Sequence, residues 1–180
     1  MVTPDDQALA GDLARTILDV PDFPKPGIRF KDLTPVLHDA ALFLRTTTAL
    51  AAAFREARVS HVLGIESRGF IFGAPVAQAM GAAFVPLRKP GKLPRDRVTE
   101  RYELEYGTDA LEVHRDAIGA GARALIIDDV LATGGTAAAA IRLAERCGAT
   151  VVGVGVVIDL SFLPWRDRLQ GRMITSLVSF

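Results

Sequence analysis

The 180-residue chain is 49% hydrophobic and 23% charged, a balance that supports one substantial core and argues against general disorder. With 21 Lys and Arg against 21 Asp and Glu the formal net charge is zero, so the overall field does not favour non-specific binding to nucleic acid. One cysteine, Cys147, excludes an internal disulfide, and the three histidines have no zinc-ligand spacing. No basic leader with an apolar run opens the chain, and no apolar stretch approaches the about 18 residues that span a bilayer, so a reduced cytoplasmic protein with no membrane partner is expected.

Residues 4–18 read as an amphipathic helix, with Leu9, Leu13 and Ile17 on one face. Pro21-Asp22-Phe23-Pro24-Lys25-Pro26-Gly27 forbids regular helix, and an extended Ile28-Arg29-Phe30-Lys31-Asp32-Leu33 follows, so about 1–35 forms an N-terminal arm. A helix is predicted from an Asp39 N-cap to Ala57, with Phe43, Thr47, Leu50, Phe54 and Ala57 inward. The apolar strands His61–Glu66 and Ala83–Leu87, separated by a helix ending near Met80, imply a parallel sheet buried on both faces. Arg88 to Arg101 carries six basic residues (Arg88, Lys89, Lys92, Arg95, Arg97, Arg101) against Asp96 and Glu100, with Pro90, Gly91 and Pro94 breaking any helix. Such a loop is a candidate anion lid, or else a solvated surface loop. Tyr102 to Gly107 then alternates, placing Glu103 and Glu105 on one face.

The most informative stretch is Ala124 to Thr136. An apolar strand ends in Asp128-Asp129, and Thr133-Gly134-Gly135-Thr136 opens a helix with Ala137, Ala140, Ile141 and Ala144 inward, before a strand around 151–158. A glycine turn at a helix N-terminus binds phosphate through backbone N–H groups and the helix dipole, and carboxylates one step earlier can accept from ribose hydroxyls. In parallel sheets ligands sit beyond the carboxyl ends of the strands, where both Ser67-Arg68-Gly69 and this loop are expected.

The loop Val130 to Thr136 after Asp128-Asp129 resembles the phosphoribosyl-diphosphate (PRPP) signature of type I phosphoribosyltransferases. Within that group, Phe23-Pro24-Lys25-Pro26-Gly27, Phe30-Lys31-Asp32, Ser67-Arg68-Gly69-Phe70, Arg88 to Pro94 and Leu104-Glu105-Tyr106-Gly107 are similar to the adenine phosphoribosyltransferases. The resemblance covers about Phe23 to Asp159. It implies an α/β fold, a parallel sheet flanked by helices with a small N-terminal hood, as one domain over 1–180 with a flexible loop at about 88–101.

It also implies a reaction: adenine N9 joins C1 of PRPP, giving AMP and pyrophosphate with Mg²⁺ present. The 5′-phosphate would be anchored by Ala132, Thr133, Gly134, Gly135 and Thr136, and the ribose oriented by Asp128 and Asp129. Ser67, Arg68, Arg88, Lys89 and Lys92 would hold the leaving pyrophosphate, whose departing oxygens need cations placed before charge develops. Adenine would lie against Phe30, read by backbone groups of Arg29 and Lys31. A carboxyl group near N7 must hold or exchange a proton; by resemblance this is Glu105, while periodicity alone admits Glu103 equally. Mg²⁺ prefers substrate phosphates and water, so no protein metal ligands are assigned. Two features depart from the family pattern: lysine at position 31 where arginine is expected, and the charged Arg95-Asp96-Arg97. The family implies a homodimer, in which Arg88 or Lys89 could reach the neighbouring site.

Two other functions compete. A 6-oxopurine phosphoribosyltransferase would carry an acid in the PRPP loop where this chain has Ala132. A PRPP-sensing regulator would bind without transfer, and tends to carry a DNA-binding extension for which this chain has no spare segment.

Overall fold

The computed structural model describes residues 4–103 and 107–180. Helix α1 (Pro4–Thr16) is followed by strands β1 (Leu18–Pro21) and β2 (Arg29–Asp32), which pair antiparallel. Leu9, Leu13 and Ile17 are buried as the period requires, but the helix stops at Thr16 and the next residues enter the hairpin. The predicted arm is therefore a helix plus a two-stranded hood.

The helix predicted from Asp39 is α3 (Ala40–Ala53), and a short helix the sequence did not suggest, α2 (Thr34–His38), precedes it. Asp39 separates them in an extended conformation, and its carboxylate accepts from the N–H groups of Ala41 and Leu42, the N-cap expected. The inward face of α3 is Leu42, Thr46, Thr47 and Leu50, so Phe43 is only half-buried. A 3₁₀ turn at Arg55–Ala57 completes the span, closed by Arg58 in the left-handed region.

Strand β3 (His61–Ile65), helix α4 (Gly69–Met80) and strand β4 (Ala83–Leu87) form the first crossover unit. A hairpin of β5 (Arg97–Glu103) and β6 (Thr108–His114) follows, so residues 97–101 of the expected loop are strand. Then come β7 (Arg123–Leu131), α5 (Gly135–Arg146), β8 (Thr150–Asp159), the short α6 (Trp165–Arg168) and β9 (Ile174–Ser179). The central sheet has the order β4-β3-β7-β8-β9, and every pairing is parallel.

Helices α1 to α4 cover one face of this sheet, packing Leu13, Leu33, Leu50, Phe54 and Phe72 against Val62, Leu125 and Ile127. Helix α5 and the β5–β6 hairpin cover the other, with Tyr102, Leu111, Ala140 and Leu143 against Leu63, Ile126 and Val154. Burial on both faces is why these strands read as unbroken apolar runs. Among the described residues no helix is long and apolar enough to cross a membrane.

Candidate active site

The adjacent strands β3 and β7 run parallel and in register, with Gly64 opposite Ile127, so both deliver their following residues to the same edge. Glu66, Ser67 and Arg68 leave β3 there. Asp128 and Asp129 lie in the last part of β7, which continues to Leu131, two residues beyond the pair of aspartates expected to end it. Gly69, the first residue of α4, packs directly on β7: a Cβ there would sit 2.8 Å from the Ile127 carbonyl oxygen and 3.0 Å from Asp128 Oδ1.

A cavity of about 460 Å³ opens at this edge. It is lined by Arg29, Phe30 and Lys31 of the hood, by Ser67, Arg68 and Lys89, and by Asp128, Asp129, Ala132 and Thr136. A second, smaller cavity of about 80 Å³ is cupped by Ala132, Thr133, Gly134, Gly135 and Thr136, beneath Asp128. Gly134 (φ +78°) makes the turn into α5, whose first N–H groups have no partner within the helix. Behind the turn stands Trp165, whose indole Nε1 donates to the buried Asp159 carboxylate at 2.6 Å.

The carboxylates are not equivalent. Burial pushes the Asp128 carboxyl well above the usual carboxylate range, and the adjacent Asp129 charge adds to the shift. Asp128 Oδ1 accepts from the Asp129 N–H at 2.9 Å. Asp129 is buried, and Arg68 Nε lies 2.8 Å from its Oδ2 as an ion pair, but off the N–H direction, so this oxygen has no hydrogen-bond donor. The Arg68 guanidinium also stands 5.2 Å from the centre of the Phe30 ring. Phe30 is steadied by an edge contact with Phe23 of the proline-rich segment.

The basic residues divide. Arg88 Nε donates to Glu66 at 2.9 Å, and the Lys89 N–H donates to the same carboxylate at 2.7 Å. The Arg88 guanidinium holds the Glu66 carboxyl below its usual range, with burial opposing and the Lys89 N–H assisting. Glu66 was given no role from sequence; its only signal was its place directly before Ser67-Arg68. The Lys89 ammonium turns inward to Tyr102 and Asp109. Lys92 is exposed and lines neither cavity. Lys31 reaches Asp19 Oδ1 at 2.6 Å and lies 3.7 Å over the Phe180 ring, so its ammonium is engaged outside a bidentate contact. Glu105, the expected proton-holding acid, lies outside the described residues with Leu104 and Tyr106; the alternative, Glu103, is exposed at the end of β5.

Residues 36–171 match the phosphoribosyl transferase domain. The chain is 54% identical over 175 residues to the adenine phosphoribosyltransferase of Myxococcus xanthus, covering 97% of this chain and 95% of that protein. The crystal structure of adenine phosphoribosyltransferase from Thermoanaerobacter pseudethanolicus superposes with a TM-score of 0.92 at 47% identity, over 95% of this chain and 99% of that one. The Saccharomyces cerevisiae adenine phosphoribosyltransferase, complexed with an imino-altritol bisphosphate and adenine, gives a TM-score of 0.90 at 38% identity, over 95% and 99%. With a matching domain model across most of its length and relatives so similar over nearly all of theirs, the chain belongs to the adenine phosphoribosyltransferases, a family of pentosyl-transferring enzymes.

Proposed function

We propose that the large cavity joins N9 of adenine to C1 of PRPP and releases pyrophosphate, making AMP for purine salvage. The observation that carries this reading is the shared lining. An aromatic hood (Phe30), two basic residues (Arg68, Lys89), paired carboxylates (Asp128, Asp129) and the edge of a glycine phosphate turn (Ala132, Thr136) all border one volume. Base, diphosphate, ribose and 5′-phosphate each have a station of suitable chemistry within reach of the others.

The 5′-phosphate sits in the small cup of Thr133 to Thr136, against the free N–H groups of α5. Asp129 Oδ2, buried and without a donor, accepts from a ribose hydroxyl, and Asp128 takes the neighbouring one. As the bond to pyrophosphate lengthens, positive charge builds at C1 in an oxocarbenium-like state. Arg68 and Lys89 stabilise the departing oxygens, with Ser67 beside them. Phe30 stacks on the purine, and backbone groups of Arg29 and Lys31 read its amino edge. Glu105 holds or exchanges the proton at N7, a role supported by its place in the Leu-Glu-Tyr-Gly segment.

Magnesium fits this site as an ion delivered by the substrate. Among the described residues no group of three or more His, Cys, Asp or Glu could cage a metal, whereas Asp128 and Asp129 offer hard oxygens beside the diphosphate station. Bound there, Mg²⁺ would neutralise charge on the diphosphate while retaining most of its waters. A homodimer is the working unit we favour, with exposed Leu44 of α3 and Ile71 of α4 available for self-association and a cytoplasmic location. Lys89, which lines the cavity of its own subunit, is assigned to that cavity.

Pyrophosphate release from PRPP and Mg²⁺, measured with each purine in turn, tests the proposal. Turnover is expected with adenine. Turnover of hypoxanthine but not adenine would replace it with the 6-oxopurine reaction, and PRPP binding with no base-dependent release would replace it with a sensor.

A further inference from the structure

The β5–β6 hairpin contributes two polar side chains that the reaction as described does not use. Tyr102 and Asp109 are directly opposite each other in the antiparallel ladder, so their side chains emerge on the same face. The Tyr102 ring is buried in the core between α5 and the central sheet, only 6% exposed, and its hydroxyl reaches the ammonium of Lys89, which lines the main cavity. There the hydroxyl donates to Asp109 Oδ2 at 3.1 Å and accepts from Lys89 Nζ at 2.9 Å. The Lys89 ammonium also donates to the Asp109 carboxylate. On its other side the same hydroxyl lies 3.5 Å from Thr136 Oγ1, at the outer limit of a hydrogen bond. Thr136 borders both the phosphate cup and the main cavity.

Lysine has four rotatable side-chain bonds and is ordinarily a poorly fixed charge. Here it is fixed at both ends: its N–H is held by Glu66, and its ammonium by Tyr102 and Asp109. Two of three ammonium donors are thereby committed and one remains for a ligand in the cavity. Because Tyr102 is rooted in the core next to Thr136, the cation is held at a set separation from the phosphate loop.

We infer that Tyr102, backed by Asp109, is a positioning residue for PRPP: it holds the Lys89 ammonium at the diphosphate end of the cavity, in register with the Thr136 end that takes the 5′-phosphate. The inference rests on the assignment of Lys89 and Thr136 to those two ends. It predicts that losing one oxygen atom, with the buried ring kept, weakens recognition of the diphosphate without touching recognition of the base.

The test compares Tyr102→Phe, Lys89→Met and the double variant in the full chain, using pyrophosphate and PRPP as calorimetric ligands and steady-state kinetics. Tyr102→Phe is expected to weaken pyrophosphate binding and raise KM for PRPP about tenfold, the scale of one hydrogen bond to a charged group. KM for adenine should change less than about twofold, and the melting temperature should stay near that of the unmodified protein. In the Lys89→Met background the tyrosine substitution should have no further effect, because its target is gone. Additive losses in the double variant would show that Tyr102 acts on the fold generally and would overturn the inference. Weakened binding in Lys89→Met with unchanged binding in Tyr102→Phe would overturn it while sparing the assignment of Lys89. Unchanged pyrophosphate binding in Lys89→Met would remove both.

Discussion

Gly134 is where the phosphate loop is least tolerant of change, for two separable reasons. Its φ of +78° lies in the left-handed region, which costs a residue with a Cβ about 1–2 kcal/mol. A Cβ at this position would also meet Trp165 at 3.1 Å from its Cβ, and at 3.3 Å from both its Cα and its carbonyl oxygen. Two of these three are backbone atoms of α6, so the neighbour cannot rotate away, and the loop must move toward the phosphate cup instead. Gly134→Ala is therefore expected to destabilise by roughly 2–3 kcal/mol, the backbone cost plus a small overpacking cost. For a chain of this size that corresponds to a fall of roughly 4–12 °C in melting temperature. Thermal melts with and without PRPP measure both consequences: the lowered midpoint, and a reduced upward shift on adding PRPP, since displacement of the cup weakens binding. Gly135→Ala is the control for the midpoint without PRPP, because the nearest atom to its added Cβ is 3.4 Å away and helix favours alanine. A Gly134→Ala protein with unchanged midpoint and unchanged response to PRPP would refute both the strain argument and the assignment of the loop to phosphate.

Asp128→Asn should stabilise the protein near neutral pH while abolishing most PRPP affinity. The carboxyl has its pKa raised in the fold, so its favourable contribution exists only at low pH and is lost as pH rises; the advantage of Asn should vanish below about pH 3.8. An equal melting-temperature difference at pH 3.5 and pH 7 would contradict this. Trp165→Phe removes the indole donor to buried Asp159 and should cost about 1–3 kcal/mol, with a matching rise in KM for PRPP through the loop it supports; an unchanged melt would show that the bond contributes nothing. Gly69→Ala forces a Cβ to within 2.8 Å of the Ile127 carbonyl and should lower kcat/KM about 10²-fold by displacing Asp128 against Arg68, a loss that Gly11→Ala, on α1 and outside both cavities, should not reproduce.

How legible each part was depended on whether one segment carried its own signal. Strands β3, β4, β7 and β8 carry unbroken apolar runs because the sheet is covered on both faces, and Asp39 and the inward face of α5 follow from local rules of capping and period. The helix reading overran the hood strand β1 by one residue because Ile17 and Leu18 continue the apolar run, although Leu18 is exposed, and the remainder of β1 gave no signal. The first part of strand β5 was hidden by its charges: Arg97, Glu100 and Arg101 read as part of an anion lid or a solvated loop, yet Glu100 pairs with Arg142 and Arg146 of α5, and Arg97 with the buried Glu112. Strand β9, short and at the sheet edge, gave no apolar run comparable to the others. In the site, Asp128, Asp129 and the Thr-Gly-Gly-Thr turn were recognisable because their chemistry is contiguous. Tyr102, Asp109 and Glu66 were not, because their meaning arises only when a hairpin register and two sheet strands bring them to Lys89.

The spacing of the chemistry is set by the sheet rather than by the loops. Adjacent parallel strands lie about 4.8 Å apart, so the register between β3 and β7 fixes how far the Ser67-Arg68 turn stands from the Asp128-Asp129 pair. Gly69 removes the side chain that would otherwise push these elements apart, which lets Arg68 and the Asp128-Asp129 pair line a single cavity. On the opposite face, α5 carries the phosphate cup and packs on β5, which carries Tyr102. The two cations reach the cavity from neighbouring strands, Arg68 after β3 and Lys89 after β4, and the hairpin holds only the Lys89 ammonium. The Arg68 route ends at a buried carboxylate oxygen with no hydrogen-bond donor, open to exchange its ion pair for a substrate hydroxyl. The Lys89 route ends in a closed set of hydrogen bonds that keeps the cation in place. On the proposed reading one charge reorganises when PRPP enters while the other supplies a fixed reference, which is why substitutions on the hairpin should alter diphosphate affinity separately from the base.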